Sequence, residues 1–186
     1  MGTDVQFIPR GGEIYAHLFE NRRTGLERSL FWNIGVELQS VEIDGEEWES
    51  SFACEWLVWP IKRLPDLDGM DLQRLVRPEL VECSIYLVAE HHPAKVSDLK
   101  VREQITGKYK LDAIGSVDLE IDGKTISHTF DLQCDLNFGG IVVVPQSLDP
   151  RPATPAQVAE ALSSFLALDG LREPRYDKFR YVFDPA

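Results

Sequence analysis

Two adjacent histidines, His91 and His92, are the residues of this chain that most directly suggest chemistry. An imidazole can transfer a proton near neutral pH or bind a metal ion. Adjacent residues of a strand point to opposite faces, so the two rings can share one metal only if the backbone forms a loop. Pro93 follows them and indicates a strand end. We expect exposed loop histidines, with a catalytic or metal-binding role as the alternative.

His128 falls on the apolar face of a predicted hairpin, where a buried imidazole needs hydrogen-bond partners. No serine or cysteine in a recognisable nucleophile turn accompanies it, and neither does a partner at metal-ligand spacing. We expect a core histidine with satisfied hydrogen bonds. A catalytic role is the alternative.

Three aspartates, Asp66, Asp68 and Asp71, have a spacing similar to that of a calcium-binding loop. Gly69 follows Asp68 directly, however, and the glutamate spacing of an EF-hand is missing. We interpret the segment as a loop that starts a helical turn, with Ca²⁺ binding as the alternative. No cofactor is expected.

Residues 29–61 contain no Lys or Arg, although they hold seven carboxylates and all four tryptophans of the chain. The pattern predicts a hairpin that turns at Asp44-Gly45 and has a β-bulge at Gln39-Ser40. This register places Glu42 opposite Glu47. Like charges directly opposite each other cost stability unless a cation lies between them.

The same register predicts which side of this hairpin faces the core. Trp32, Trp48 and Trp56 fall on the apolar side, and the other side is acidic. Trp59 is expected on the acidic side, where an indole beside carboxylates can receive Lys or Arg by cation–π contact. A solvated face that prevents aggregation is the alternative. The predicted partner-binding residues are Glu37, Glu42, Glu47, Glu49, Glu55 and Trp59.

Alternating apolar residues predict a second hairpin over residues 109–138 that turns at Asp122-Gly123. Other strands are predicted at residues 13–19, 81–89, 141–144 and 178–183, with a break at Gly139-Gly140. Residues 95–106 fit either a strand or a helix, and we favour the strand. The register of the second hairpin sets Leu119 opposite Ile126, Val117 opposite His128, Gly115 opposite Phe130 and Lys110 opposite Asp135.

One helix is clearly delimited, with Thr154 as N-cap, Pro155 at the first helical position and Gly170 as terminator. It is expected over residues 154–169, after a proline-rich crossing at 144–153. We therefore predict a single domain over residues 1–186 in the α+β class. Its predominantly antiparallel sheet is built from hairpins, as a curved sheet or a sandwich, with the C-terminal helix packed on it.

The 31 acidic and 19 basic residues give a net charge of −12, which would repel a phosphate backbone or an anionic membrane. We expect neither nucleic acid nor membrane as a partner. The N-terminal residues lack the pattern of a secretory signal, so a cytoplasmic location is expected. Cys54, Cys83 and Cys134 are widely spaced in apolar alternation and are interpreted as reduced buried thiols.

These observations favour a non-enzymatic acidic module that binds a basic protein, in the manner of an inhibitor or an immunity-type protein. The alternative is an enzyme acting on a carbohydrate or another small molecule, with Glu49 and Glu55, or His91 and His92, as acid/base groups. A structural subunit of a larger assembly is a second alternative. Self-association is left open by the sequence.

Overall fold

A parallel pairing between the first and seventh strands closes a barrel in the computed structural model, which describes residues 5–43, 45–88, 90–121 and 124–186. The elements are β1 (Pro9–Asn21), β2 (Leu26–Ile43), β3 (Glu46–Leu57), β4 (Glu82–Leu87), β5 (Glu90–Ile105), β6 (Lys108–Ile121), β7 (Lys124–Val143), α1 (Pro155–Ser163), β8 (Arg175–Asp177) and β9 (Arg180–Phe183). Short 3₁₀ helices lie at Leu64–Leu67, Leu72–Arg74, Pro78–Leu80 and Pro145–Ser147.

Closure of the barrel shows that the predicted fold class is wrong. The chain forms neither an open antiparallel sheet nor a sandwich with a packed helix. Each strand from β1 to β7 pairs antiparallel with the next, so β1 and β7 run in the same direction and their pairing is parallel. β9 pairs with the end of β7, and β8 pairs with β9. Alternating hydrophobicity predicts the two faces of a strand, and carries no information about pairing between strands far apart in the chain.

The interior of the barrel is filled by inward-facing side chains, because every second residue of a strand points inside. Ile14, Trp32 and Phe52 are fully buried there, in one continuous hydrophobic cluster. Phe31 is equally buried but lies on the outer face, outside this cluster. Other fully buried interior residues are Leu18, Ile34, Leu57, Ile85, Leu99 and Tyr109.

The β6–β7 hairpin confirms the predicted register at every pair named above. Gly115 lies opposite Phe130, and a β-carbon at Gly115 would stand 2.5 Å from the Phe130 ring. Glycine therefore makes room for the aromatic ring across the strand. The predicted turn at Asp122-Gly123 lies outside the described residues.

The β2–β3 hairpin confirms the predicted bulge at Gln39-Ser40. The Ser50 hydroxyl donates a hydrogen bond to the carbonyl oxygen of Gln39 at 2.9 Å, and so satisfies a backbone group beside the bulge. Glu42 lies opposite Glu47, as predicted. The turn residue Asp44 lies outside the described residues.

A second bulge, which the sequence did not predict, lies at Trp56 in β3. Trp32 pairs with Leu57 instead of Trp56, and Trp56 has a φ of 62°. The Trp56 indole therefore turns to the outer face, where its ring centroid is 5.1 Å from that of Phe31. The predicted core position of Trp56 is wrong. Trp48 is half-buried and packs against the interior cluster, as expected.

β7 continues through Gly139-Gly140, where the sequence predicts a break. Gly140 has a φ of 90°, and a β-carbon there would stand 2.6 Å from the carbonyl oxygen of Phe183. The β1–β7 register shifts at this point, so the glycine pair forms a bulge that lets β9 approach. The strands predicted at 13–19, 81–89 and 95–106 correspond to β1, β4 and β5.

The connection between β3 and β4 and the C-terminal helix close one end of the barrel. Leu67, Val158 and Leu162 are fully buried and belong to the same cluster as the barrel interior. The two segments also meet through their backbones, since the Ala167 amide donates to the Lys62 carbonyl at 2.8 Å.

α1 begins at the predicted cap but is shorter than predicted. The Thr154 hydroxyl accepts a hydrogen bond from the Gln157 amide, and the Gln157 side chain accepts one from the Thr154 amide. The helix ends at Ser163. The hydroxyls of Ser163 and Ser164 both donate to the Glu160 carbonyl, and such local bonds compete with helix continuation.

Cys54 and Cys83 lie directly opposite each other on β3 and β4 and form a disulfide, with their Cα atoms 4.2 Å apart. The prediction of reduced thiols is therefore wrong for this pair. The reason is that the β3–β4 pairing spans a long connection that hydrophobic alternation does not predict. Cys134 is a buried free thiol, and burial raises its pKa.

Replacement of Gly12 by alanine tests the closure of the barrel. Gly12 pairs with β2 on one side and β7 on the other, and a β-carbon there would stand 2.5 Å from the Gly35 carbonyl oxygen and 2.7 Å from Leu136. We expect Gly12→Ala to lower the free energy of unfolding by about 1 to 3 kcal/mol in urea titrations. Gly11→Ala is the matched control, because a β-carbon at Gly11 meets no described residue within 4 Å. Equal stability of the two variants would contradict the closure.

The disulfide predicts a second stability difference. Because the bond closes a loop of 29 residues, its removal in Cys54→Ala/Cys83→Ala should cost about 3 to 4 kcal/mol. Urea unfolding with and without a reductant measures this cost, and the reductant should affect the wild-type protein alone. Alkylation of the denatured, unreduced protein should label one thiol, and labelling of all three would refute the bond.

Candidate functional site

A shallow groove of about 700 Å³ lies on the outer face of the barrel, across β2, β3 and β4. It is lined by the acidic residues Glu37, Glu47 and Glu49, by Tyr86 and by Trp48, whose half-buried side chain also packs against the interior cluster. We call this surface the acidic groove. Its other lining residues are Arg10, Leu38, Ser40, Ser50, Ser51 and Leu87.

A second depression, of about 510 Å³, continues the acidic groove toward β1, since Glu37 and Ser51 line both. Outward-facing residues here are small, with Gly35 and Ala53 side by side on β2 and β3. Glu13 lines the same depression on β1. Small residues between carboxylates leave room for a side chain supplied by another molecule.

The carboxylates of the acidic groove face water without an ion pair. Glu37, Glu47 and Glu49 are exposed, and none of them pairs with a basic side chain within the described residues. Arg10 is the single cation among the described lining residues. The acidic groove therefore has an excess of negative charge, which attracts cations.

Of the two other predicted acidic residues, Glu42 lies beside the acidic groove and Glu55 lies away from it. Glu42 is exposed and stands opposite Glu47. Glu55 is half-buried, opposite Glu82, and lies about 20 Å along β3 from Glu49 in an extended strand. Glu49 and Glu55 therefore cannot flank a single glycosidic bond, as the enzymatic alternative requires.

Trp59 does not stand on the acidic side, so this part of the prediction is wrong. It is 4% exposed, and its indole nitrogen donates to the carbonyl oxygen of Asp71 at 2.8 Å. β3 ends at Leu57, so the strand alternation used to place Trp59 no longer applies at that position.

Tyr15 lies near Glu55 and Glu13 on the outer face. Burial raises the pKa of the Tyr15 phenol, and the charges of Glu55 and Glu13 raise it further. Tyr15 therefore keeps its proton at neutral pH and can donate a hydrogen bond to a ligand on this face.

His91 and His92 lie at the start of β5 instead of in a loop, and point to opposite faces, as strand geometry predicts. His91 is exposed, and its Nε2 is 2.5 Å from the Ser84 hydroxyl. Ser84 is 4% exposed, so its oxygen is covered against attack on a substrate. Within the described residues, no carboxylate bonds to His91 to orient the ring as a catalytic triad would.

His128 is buried on the inner face of β7, opposite Val117. Its Nε2 has no hydrogen-bond partner among the described residues, so the expectation of a satisfied histidine is wrong. It lies on a different strand from His91 and His92. Among the described residues, the structure brings no group of three metal-ligating side chains together.

The three aspartates of the calcium alternative act on backbone groups instead. Asp66 accepts hydrogen bonds from the amides of Lys62 and Arg63, which lower the pKa of its carboxyl group. Asp71 caps the 3₁₀ helix that follows it, as the helix-start interpretation predicts. Asp68 accepts from an amide of β5. Asp66 and Asp71 therefore stabilise local turns, and Asp68 ties its loop to β5.

An aromatic cluster that the sequence did not predict lies on the outer face, where Trp56 covers His17, Phe19 and Phe31. Asn33 lies beneath it, is 2% exposed, and bonds to His17 and to the Trp56 backbone. The sequence signal for this cluster is Asn33 inside the apolar run 30–36, because a buried side-chain amide needs hydrogen-bond partners nearby.

Comparison of the chain with protein-family models, with curated proteins and with solved structures found no match. The fold and the site define a seven-stranded closed β-barrel with an acidic outer groove. Within the described residues, no helix has the length and apolar character needed to cross a membrane.

Replacement of Glu42 by glutamine tests the strain in the acidic groove. Glu42 and Glu47 are directly opposite and unpaired with a cation in the described part of the chain, so removal of one charge should raise the free energy of unfolding by about 0.2 to 1 kcal/mol. Urea unfolding at low salt measures the gain, which should shrink at high salt. A loss of stability at low salt would show that the two carboxylates do not repel each other.

Proposed function

We propose that the protein is a non-enzymatic binding module that holds a basic protein surface in its acidic groove. The single observation that carries this proposal is the set of exposed carboxylates, Glu37, Glu47 and Glu49, that line one groove without an ion pair in the described residues. Glu42 extends the same acidic surface from the neighbouring strand.

The shape of the acidic groove supports a protein side chain as the ligand. Lys and Arg have long apolar stems that can lie on the exposed ring of Tyr86, while their charged ends reach the carboxylates. Ser40 and Ser51, which also line the acidic groove, add hydroxyl oxygens as hydrogen-bond acceptors. Electrostatic attraction would speed association with a basic partner and make it sensitive to salt.

The proposed binding role does not depend on the cellular location of the protein. A cytoplasmic location remains a proposal, and the Cys54–Cys83 disulfide counts against it, because disulfides are rare in cytosolic proteins. An inhibitor or immunity-type role requires only that the partner be basic.

The test is a pair of charge reversals with a matched control. A decalysine peptide is titrated into the protein by calorimetry at low and at high salt. We expect Glu47→Lys/Glu49→Lys to bind about tenfold more weakly, a change of about 1.4 kcal/mol, and wild-type binding to weaken steeply with salt.

The control variant, Asp131→Lys/Glu160→Lys, has the same net charge and reverses two exposed acids that do not line the groove. It should bind within about twofold of the wild-type protein. Equal losses in both variants would mean that the peptide responds to total charge and that the acidic groove is not the site.

A further inference from the structure

Trp56 is held over the outer aromatic cluster in a backbone conformation that tryptophan rarely adopts. Its φ of 62° lies in the left-handed region, which is unfavourable for a residue with a β-carbon. The structure offsets this cost through ring contacts and one hydrogen bond. The ring centroids of His17 and Phe31 lie 5.2 Å and 5.1 Å from that of Trp56, and the Trp56 amide donates to Asn33 Oδ1 at 3.3 Å.

Backbone groups fix the orientation of the Asn33 side-chain amide. The Trp56 amide can only donate, so Asn33 presents its oxygen there. The Phe31 carbonyl can only accept, so Asn33 presents its nitrogen there, at 3.3 Å. The same nitrogen is 2.9 Å from His17 Nδ1. His17 Nδ1 must therefore accept, and the ring is neutral with its proton on Nε2.

A protonated His17 does not fit this arrangement. Its Nδ1–H would face the two N–H groups of the Asn33 amide, donor against donor. If Asn33 turned over to accept this proton, it would present N–H groups to the Trp56 amide and an oxygen to the Phe31 carbonyl. Protonation of His17 is thus incompatible with the full set of Asn33 hydrogen bonds that supports the Trp56 bulge.

We propose that His17, Asn33 and Trp56 form a proton-operated latch, in which protonation of His17 breaks the Asn33 bond to the Trp56 backbone and releases the indole from Phe31. Phe31 is fully buried in the closed state, so release exposes an aromatic surface on the outer face of the barrel. The latch does not depend on the proposed binding function.

The groups around His17 do not offset this donor conflict. On its own strand the nearest outward-facing titratable group is Tyr15, whose phenol is neutral at neutral pH. On β2 it faces Phe31 and Asn33, and on β3 the nearest charge is Glu55, beside Trp56. On the β7 side of β1, His17 lies beside Val142. Val182 of β9 comes next across the sheet, followed by the Arg175–Asp184 ion pair.

The direction of the pH effect follows from burial and from the donor conflict together. Burial lowers the pKa of His17 from its ordinary value of 6.5, so the closed state binds fewer protons than the open one. The closed state is fully populated above pH 6.5, and its population falls as the pH decreases through the lowered pKa of His17.

Fluorine NMR of protein labelled with 5-fluorotryptophan tests the latch, with Trp56→Phe to assign the Trp56 signal. Between about pH 8 and about pH 5 the Trp56 signal should shift with one midpoint below 6.5, while far-UV circular dichroism stays constant. In Asn33→Asp the shift should disappear, because a carboxylate can accept from both the Trp56 amide and the His17 imidazolium. His92→Gln, which alters a histidine outside the cluster, should leave the midpoint unchanged.

Nitrogen-15 NMR of the imidazole rings gives a test that requires no variant. The proposal requires neutral His17 to carry its proton on Nε2. A proton on Nδ1 would overturn it, and so would a Trp56 midpoint that survives in Asn33→Asp or moves in His92→Gln.

Discussion

All other features of this fold build on the parallel pairing of β1 with β7. It turns a row of antiparallel strands into a barrel with an inside and an outside. Gly12 permits this closure because it stands between β2 and β7, where a side chain has no room. Once the barrel is closed, the apolar side of every strand is inside, and the polar side becomes outer surface.

The acidic groove follows from this separation. Glu37, Glu47 and Glu49 cannot approach the interior, and strand alternation keeps them together on one outer face. Glu42 and Glu47 remain directly opposite although this arrangement costs stability. A basic partner of the kind proposed would offset this cost, because a cation between two like charges relieves their repulsion.

Hydrophobic alternation in the sequence predicted the strand pairings within hairpins. The β6–β7 register and the bulge at Gln39-Ser40 follow from alternation on strands that are adjacent in the chain. The β1–β7 and β3–β4 pairings join strands separated by long stretches, so alternation could predict neither the barrel nor the Cys54–Cys83 bond. Trp56 and Trp59 were misplaced for a related reason, since a bulge and a strand end each change the parity of every residue that follows.

Backbone amide NMR during titration with a basic peptide shows where on the barrel a basic ligand binds. If it binds at the carboxylates of the acidic groove, the largest shifts in amide resonances fall on Glu37, Glu47 and Glu49 and their neighbours in β2 and β3. Shifts spread evenly over the acidic surface, or centred on β6 and β7 around Asp131, would mean that the acidic groove is not the binding site.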